Sequence, residues 1–184
     1  MRYLFTTQDA GIVFSRKESE HPSGPVIGYV DSDWAGDGET FATRGGWVFQ
    51  SWGGTVSWAS YKIRSIAASS CEAEYMSSAM AVRESKWLRY LFSDLGYGDL
   101  APTHYGTLCG KDYRTERLSP IGKLCEVPVM LCVDNKGCIQ LSKNPVLHKR
   151  SKHIHIAWHL TRAEVSKGHV QLTYINTKDN IADL

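Results

Sequence analysis

The chain has 184 residues, 42% of them hydrophobic, which suffices for one full hydrophobic core and does not require a second domain. Its 21 basic and 19 acidic residues give a formal net charge of +2, so no overall charge excess marks a nucleic-acid or membrane partner. The five cysteines lack CxxC spacing, and neither a signal-peptide pattern nor a long apolar run is found. We therefore predict reduced thiols and an intracellular protein, cytoplasmic or nuclear, without a membrane partner.

Strand patterns come first along the chain. Runs rich in β-branched and aromatic residues lie at 26–34, 46–51 and 55–60, separated by glycine-rich stretches, and predict three consecutive antiparallel strands. Beyond them, apolar residues recur at helical intervals, and "SSCE" at 69–72 is a capping-box pattern. This combination predicts a long helix from about residue 70 to about residue 95.

The second half of the chain alternates strand and helix patterns. Residues 127–135 form an apolar run that ends in an acid, as in a strand covered on both faces, and a short helix pattern follows at 135–142. A helix pattern over 151–168, a strand over 169–176 and the start of a last helix come next. Right-handed crossovers place the fourth and fifth strands beside the first. We predict an α/β fold with a five-stranded mixed sheet, in the order 3-2-1-4-5, and helices on both faces.

Two acids stand at the ends of strands that this order makes neighbours. Asp31 lies near the carboxyl end of the first strand and Asp134 near that of the fourth, and the "CEAEY" turn of the long helix brings Glu74 to the same crevice. Clustered carboxylates repel one another unless a cation lies between them, and oxygen ligands favour Mg²⁺ first and Mn²⁺ second. Two such ions, about 4 Å apart, are the arrangement that hydrolyses phosphodiesters.

A series of motifs, in this order and register, resembles the ribonuclease H domain of copia-type long-terminal-repeat retrotransposon polyproteins. The motifs are "GYVDSDWAGD", "GGWVFQSWGGTVSWASYK", "SSCEAEY", "WLRYLFSDL", "LCVDNKGCIQLSKNPVLHKRSKHI" and "NIADL". The opening "RYLFTTQDAGIVFS" is similar to the segment that joins the reverse transcriptase to its ribonuclease H. The resemblance implies a ribonuclease H-like fold, with 1–25 as that connecting segment and 26–184 as the ribonuclease H domain. About 31 residues without clear periodicity form an insertion at about 96–126.

The resemblance also implies a function. It implies endonucleolytic hydrolysis of the RNA strand of RNA/DNA hybrids, by two divalent ions, within a retroelement protein that includes a reverse transcriptase domain as partner. The implied metal ligands and catalytic residues are Asp31, Glu74, Asp134 and Asp183. The alternative is a catalytically degenerate module that binds nucleic acid or supports a polymerase, but such a module has no reason to keep all four acids.

Two of these ligand assignments have rivals nearby. Asp33 lies two residues beyond Asp31, hence on the same strand face. It is either an acceptor that orients a metal ligand, a turn cap or a ligand in place of Asp31. Glu72 fits the capping box, which leaves Glu74 for metal. Because only Leu184 follows Asp183, too little chain remains to nucleate a helix, so we expect Asp183 to be poorly ordered and the second ion weakly bound.

Basic and hydroxyl side chains supply the predicted contacts to the nucleic-acid backbone. These residues are Lys149, Arg150, Lys152, His153, Lys62, Arg64 and Ser70. For Ser70, at a helix start, plain capping is the rival interpretation. The loop before the last acid reads "INTKDN" and lacks the histidine that cellular ribonucleases H carry there. The six tryptophans are predicted at core or half-buried positions rather than as surfaces for base stacking.

Overall fold

Five strands form one sheet in the computed structural model, which describes residues 5–14, 26–34, 42–95, 128–143 and 159–183. The strands are β1 (Ile27–Asp33), β2 (Arg44–Ser51), β3 (Gly54–Lys62), β4 (Val129–Val133) and β5 (Val170–Tyr174). The helices are α1 (Ser70–Asp94), α2 (Lys136–Lys143) and α3 (Leu160–Ser166), followed by a short 3-10 helix (Thr177–Asp179). None of the described helices is long and apolar enough to cross a membrane.

The sheet order is β3-β2-β1-β4-β5, which confirms the predicted topology. The first three strands pair antiparallel, while β4 pairs parallel to both β1 and β5. The parallel pairs are possible because α1 returns the chain from the β3 edge to β4, and α2 with α3 returns it to β5. This mixed sheet is the ribonuclease H-like fold that the resemblance implies.

The main hydrophobic core lies between one face of the sheet and the three α-helices. Val30, Leu131 and Leu172 point to this face from three adjacent strands and pack in one buried cluster with Tyr75 and Val82 of α1. The other sheet face carries a smaller cluster, formed by Ile27, Met130, Cys132 and Ile175 with the partly buried Tyr29. Within the described ranges, α1, α2 and α3 all pack on the first face, so the predicted helices on both faces are not found among these elements.

The start of α1 has the predicted capping box in a slightly shifted form. Ser69 Oγ accepts a hydrogen bond from the backbone N–H of Glu72 at 3.2 Å, as an N-cap should. The carboxylate of Glu72 accepts from the backbone N–H of Ala68 at 2.9 Å, one residue before the cap. Glu72 is therefore engaged in capping the start of the helix, which supports the capping interpretation of this acid.

The end of the chain differs from the predicted last helix. After Tyr174 it forms the 3-10 helix and then a turn, and residues 175–183 contain no α-helix. Asn176 and Asn180 explain the difference, because their side-chain oxygens accept from the backbone N–H groups of Lys178 and Ala182, each at 3.2 Å. Such local bonds offer the backbone an alternative to helical pairing.

Two tryptophans contradict the expectation that all would be buried or half-buried. Trp58 is 65% exposed, because its neighbour Ser57 bonds Glu84 of α1 and alternation turns Trp58 to the opposite sheet face. Trp87 is 54% exposed on the outer side of α1, next to the buried Leu88. Trp158 lies outside the described residues.

Candidate metal centre

Three of the four predicted acids meet at the carboxyl ends of β1 and β4. Asp31, Glu74 and Asp134 each offer a carboxylate oxygen, and these oxygens all lie within 4.8 Å of one another. The sheet register explains the first pair: Tyr29 lies beside Cys132, so the residues two positions further along each strand are also neighbours. The helix α1 adds Glu74 from above the same strand ends.

Glu74 is held in place by β1 and is left with one unpaired oxygen. Its Oε1 accepts hydrogen bonds from the backbone N–H and the hydroxyl of Ser32, at 3.0 and 2.9 Å. The side chain is almost fully buried, and its Oε2 has no hydrogen-bond partner in the part of the chain that the structure describes. A buried carboxylate oxygen needs a partner, and a cation between the three acids would supply it.

The electrostatics of the cluster also fit a bound cation. Burial raises the pKa of Glu74 to about 8, and the charges of Asp31 and Asp134 add to this, although the two bonds from Ser32 oppose it. Burial raises the pKa of Asp31 to about 6, with further contributions from Asp183 and Asp134. Without a cation, neighbouring carboxylates thus disfavour each other's charged forms. A divalent ion would reverse that repulsion, so the residues present fit the metal that the resemblance implies.

Asp183 lies near this cluster but is not one of its three close oxygens. After burial, its negative charge contributes most to the raised pKa of Asp31. Its segment is attached to the sheet by the buried Asn180, whose side-chain amide donates to the carbonyl of Val30 at 3.0 Å. The sequence did not predict this attachment. The assignment of Asp183 as the fourth ligand stays a prediction.

An open cleft of about 600 Å³ lies in front of the three acids. Its other lining residues are Ser32, Ser70, Asn135, Lys136, Gly137 and Tyr174. The ammonium group of Lys136 lies 4.7 Å from the centre of the Tyr174 ring, a cation–π contact. The cleft therefore combines three carboxylates with one ammonium group, that of Lys136, among its described lining residues.

Sequence reasoning missed three residues of this site. Lys136 stands at the first position of α2, where the helix dipole favours an acid, and this local conflict was the available signal. Tyr174 ends β5 and is adjacent to Val133 in the sheet register, so the topology could have found it. Thr177, whose hydroxyl donates to Asp134 Oδ2 at 2.7 Å, gave no sequence signal.

The rival acid Asp33 and two of the predicted basic residues do not line the large cleft. Asp33 is exposed and lines a smaller cavity of about 110 Å³ with Asp31 and Arg44. Lys62, the last residue of β3, and Arg64, between β3 and α1, are exposed and are not among the described residues that line the large cleft, whereas Ser70 is. The predicted contacts Lys149, Arg150, Lys152 and His153 lie outside the described residues, as does the predicted insertion at 96–126.

Comparisons with known proteins find similarity over the whole of this chain to retrovirus-related Pol polyproteins. The retrovirus-related Pol polyprotein from transposon RE2 of Arabidopsis thaliana is 31% identical over 183 residues, which is 100% of this chain. The chain spans 10% of the length of that polyprotein. The secreted RxLR effector protein 161 of Plasmopara viticola is 43% identical over 88 residues, covering 48% of this chain and 59% of that protein.

Among solved structures, the chain is similar to the N-terminal RNase H domain of rv2228c from Mycobacterium tuberculosis, determined as a fusion with maltose-binding protein. The TM-score is 0.48 and the identity 13%, over 88% of this chain and 89% of that one. No protein-family model matches the chain.

Proposed function

We propose, on the premise that this chain is the ribonuclease H segment of a copia-type retrotransposon Pol polyprotein, that it hydrolyses the RNA strand of RNA/DNA hybrids. One observation supports this most directly. A buried, unpaired oxygen of Glu74 lies in a cluster with carboxylates from the ends of two parallel strands. A solvated surface cluster would have no buried orphan oxygen to satisfy.

The proposed roles of the acids follow from their positions. Asp31, on the central strand β1, would hold the divalent ions together with Glu74 and Asp134, and Asp183 would complete the set of ligands. Bound Mg²⁺ or Mn²⁺ would supply an activated water and stabilise the charge that develops on the phosphate and the leaving oxygen. Ser32 keeps Glu74 oriented through its two hydrogen bonds.

The proposed substrate is recognised by its backbone and shape. Ser70 and Lys136 on the cleft wall offer a hydroxyl and an ammonium to phosphates or 2′-hydroxyls, which read no base sequence. The other backbone contacts that we propose are Lys149, Arg150, Lys152, His153, Lys62 and Arg64. Residues 1–25 would connect this domain to a reverse transcriptase domain of the same intracellular polyprotein.

The test is a cleavage assay with the purified 184-residue chain. A hybrid labelled on either strand is incubated with Mg²⁺, with Mn²⁺ and with EDTA, beside double-stranded RNA and DNA of the same sequence. We expect cation-dependent cuts in the RNA strand of the hybrid alone, and none with Glu74→Gln. Hybrid binding without any cleavage would instead indicate the degenerate module, and cleavage that persists in Glu74→Gln would point to a contaminating nuclease.

A further inference from the structure

We infer that Thr177 is a positioning residue of the metal centre, which sets the orientation of the Asp134 carboxylate toward the bound cation. This inference rests on the proposed function and adds a residue outside the four acids. Thr177 Oγ1 donates to Asp134 Oδ2 at 2.7 Å, within the distance range of a strong hydroxyl–carboxylate hydrogen bond.

Asp134 needs such a tie because of where it stands. It follows β4 directly and is not itself a residue of the strand, so ladder hydrogen bonds do not fix its backbone. Its carboxylate is only partly buried, in contrast to that of Glu74. The hydroxyl of Thr177 restricts rotation of the carboxylate and leaves the other oxygen, Oδ1, for a cation.

Thr177 can do this because its own backbone is held. Ile175 donates to the carbonyl of Val133 at 3.0 Å and so continues the β4–β5 pairing to the residue before the turn. Thr177 then begins the 3-10 helix, and its carbonyl accepts from the backbone N–H of Asn180 at 3.1 Å. The hydrogen bond from the Asn180 side chain to the carbonyl of Val30 then holds the segment against β1.

The hydroxyl therefore comes from a segment fixed to both strands that carry the metal ligands. Groups that orient a ligand in this way typically contribute about 10- to 100-fold to metal affinity or activity. Thr177→Val keeps the shape of the side chain and removes the donor, so we expect it to weaken Mg²⁺ binding about tenfold. Thr177→Ser keeps the hydroxyl and should bind Mg²⁺ within about twofold of the parent.

The experiment measures cation binding without substrate. Titration calorimetry with Mg²⁺ and Mn²⁺ is carried out on the 184-residue chain, Thr177→Val, Thr177→Ser and a matched control, Thr55→Val. Thr55 lies at the start of β3, away from the strand ends that carry the acids. Thermal melts in EDTA separate effects on folding from effects on the metal centre, and hybrid cleavage is measured in parallel.

Three outcomes would overturn the inference. Thr177→Val could bind Mg²⁺ like the parent and Thr55→Val, or Thr177→Ser could lose as much affinity as Thr177→Val. Thr177→Val could also melt earlier in EDTA with unchanged cation affinity, which would make its role structural only. A parent that binds Mg²⁺ but leaves hybrids intact would overturn the proposed function, while a tenfold loss in Thr177→Val would still support the role of Thr177.

Discussion

Glu74 makes the metal-free protein sensitive to pH. Its pKa in the folded chain is raised to about 8, above the value of about 4.3 expected in the unfolded chain. A raised carboxyl pKa contributes stability that is fully present below the unfolded pKa and is lost as the pH rises through the folded pKa. In EDTA, the protein should therefore lose stability between about pH 4 and about pH 8, and divalent cations should restore it.

Replacing Glu74 with glutamine should remove this loss of stability at high pH. Glutamine can still accept both bonds from Ser32 through its carbonyl oxygen, so the fold is kept while the charge is lost. We expect Glu74→Gln to raise the melting temperature in EDTA at pH 8 by roughly 5 °C, about 2 kcal/mol for a chain of this size, and to abolish hybrid cleavage. At pH 4 the gain should vanish.

Glu72→Gln is the matched control, because it changes the same residue type two positions earlier, where the carboxylate caps the helix. It should not raise stability at pH 8 and should retain cleavage. A large loss of stability in Glu74→Gln would make Glu74 a structural residue.

At the scale of elements, Glu164 ties α3 to α1 and β5. Its carboxylate is 1% exposed and accepts hydrogen bonds from Lys86 and Lys167 at 3.2 Å and forms another with His169 at 2.8 Å. Burial alone would raise the pKa of Glu164, but the bonds from His169, Lys86 and Lys167 outweigh it and lower the pKa to about 2. The stability that Glu164 contributes is present above its unfolded pKa and is lost as the pH falls toward 2.

Glu164→Gln should consequently destabilise the protein at pH 7 by about 2 kcal/mol, because it leaves three donors around an uncharged amide. The difference from the parent, measured by urea unfolding, should shrink at pH 3. Ser166→Ala, on the exposed side of the same helix, is the control and should cost far less. A pH-independent difference would mean that shape rather than charge gives Glu164 its role.

Gly45 of β2 faces α1 at close range. A Cβ atom there would collide with Ser77 Oγ of α1 and lie 2.9 Å from the hydroxyl of Tyr61. Both neighbours are buried or partly buried, so neither has free space to move into. Glycine is required because the helix that carries Glu74 lies directly on this strand.

Gly45→Ala should push α1 away from the sheet and cost about 1 to 3 kcal/mol of stability. Because Ser77 is less than one turn from Glu74, we also expect weaker Mg²⁺ binding, measured by calorimetry. In Gly46→Ala the new Cβ atom would lie 3.3 Å from the Ala59 carbonyl and 3.9 Å from that of Ala182, so this variant should cost less stability. Equal losses of stability in the two variants would show that the contact between Gly45 and α1 is not what makes glycine necessary at this position.

The sequence predicted elements and strand order well because these follow from short-range patterns. Alternation, the capping box and the helical period act within a few residues, and the crossover rule then leaves few sheet orders. Asp31, Glu74 and Asp134 could be predicted because they stand at element ends that this order brings together. The bonds of Thr177 and Asn180 could not, because their partners lie 43 and 150 residues away and no periodic pattern marks them.

At the scale of the whole molecule, a net charge of +2 is too small to attract nucleic acid by itself, so any affinity for nucleic acid depends on local cations. Lys136 is held at the cleft by Tyr174, whereas Lys143 is exposed at the other end of the same helix and is not among the described residues of the cleft lining. The two lysines therefore share one helix but differ in their position and in the contact with Tyr174.

Lys136→Ala should weaken hybrid binding to a similar extent for unrelated sequences, because a phosphate contact reads no bases. The slope of log affinity against log salt should fall in magnitude by about 0.7 to 0.9 for one lost phosphate contact. Binding is measured with an inactive Glu74→Gln background, and Lys143→Ala should leave the slope unchanged. Equal slopes for Lys136→Ala and the parent would remove Lys136 from the backbone track.

The hydrogen bond between Asn180 and Val30 joins residues 150 positions apart in the chain. Protein synthesis delivers β1 long before Asn180, so a growing polypeptide holds Asp31 well before Thr177 can reach Asp134 or Asn180 can reach Val30. The three acids can therefore come together before the two hydrogen bonds that fasten this segment, and those bonds form later during synthesis.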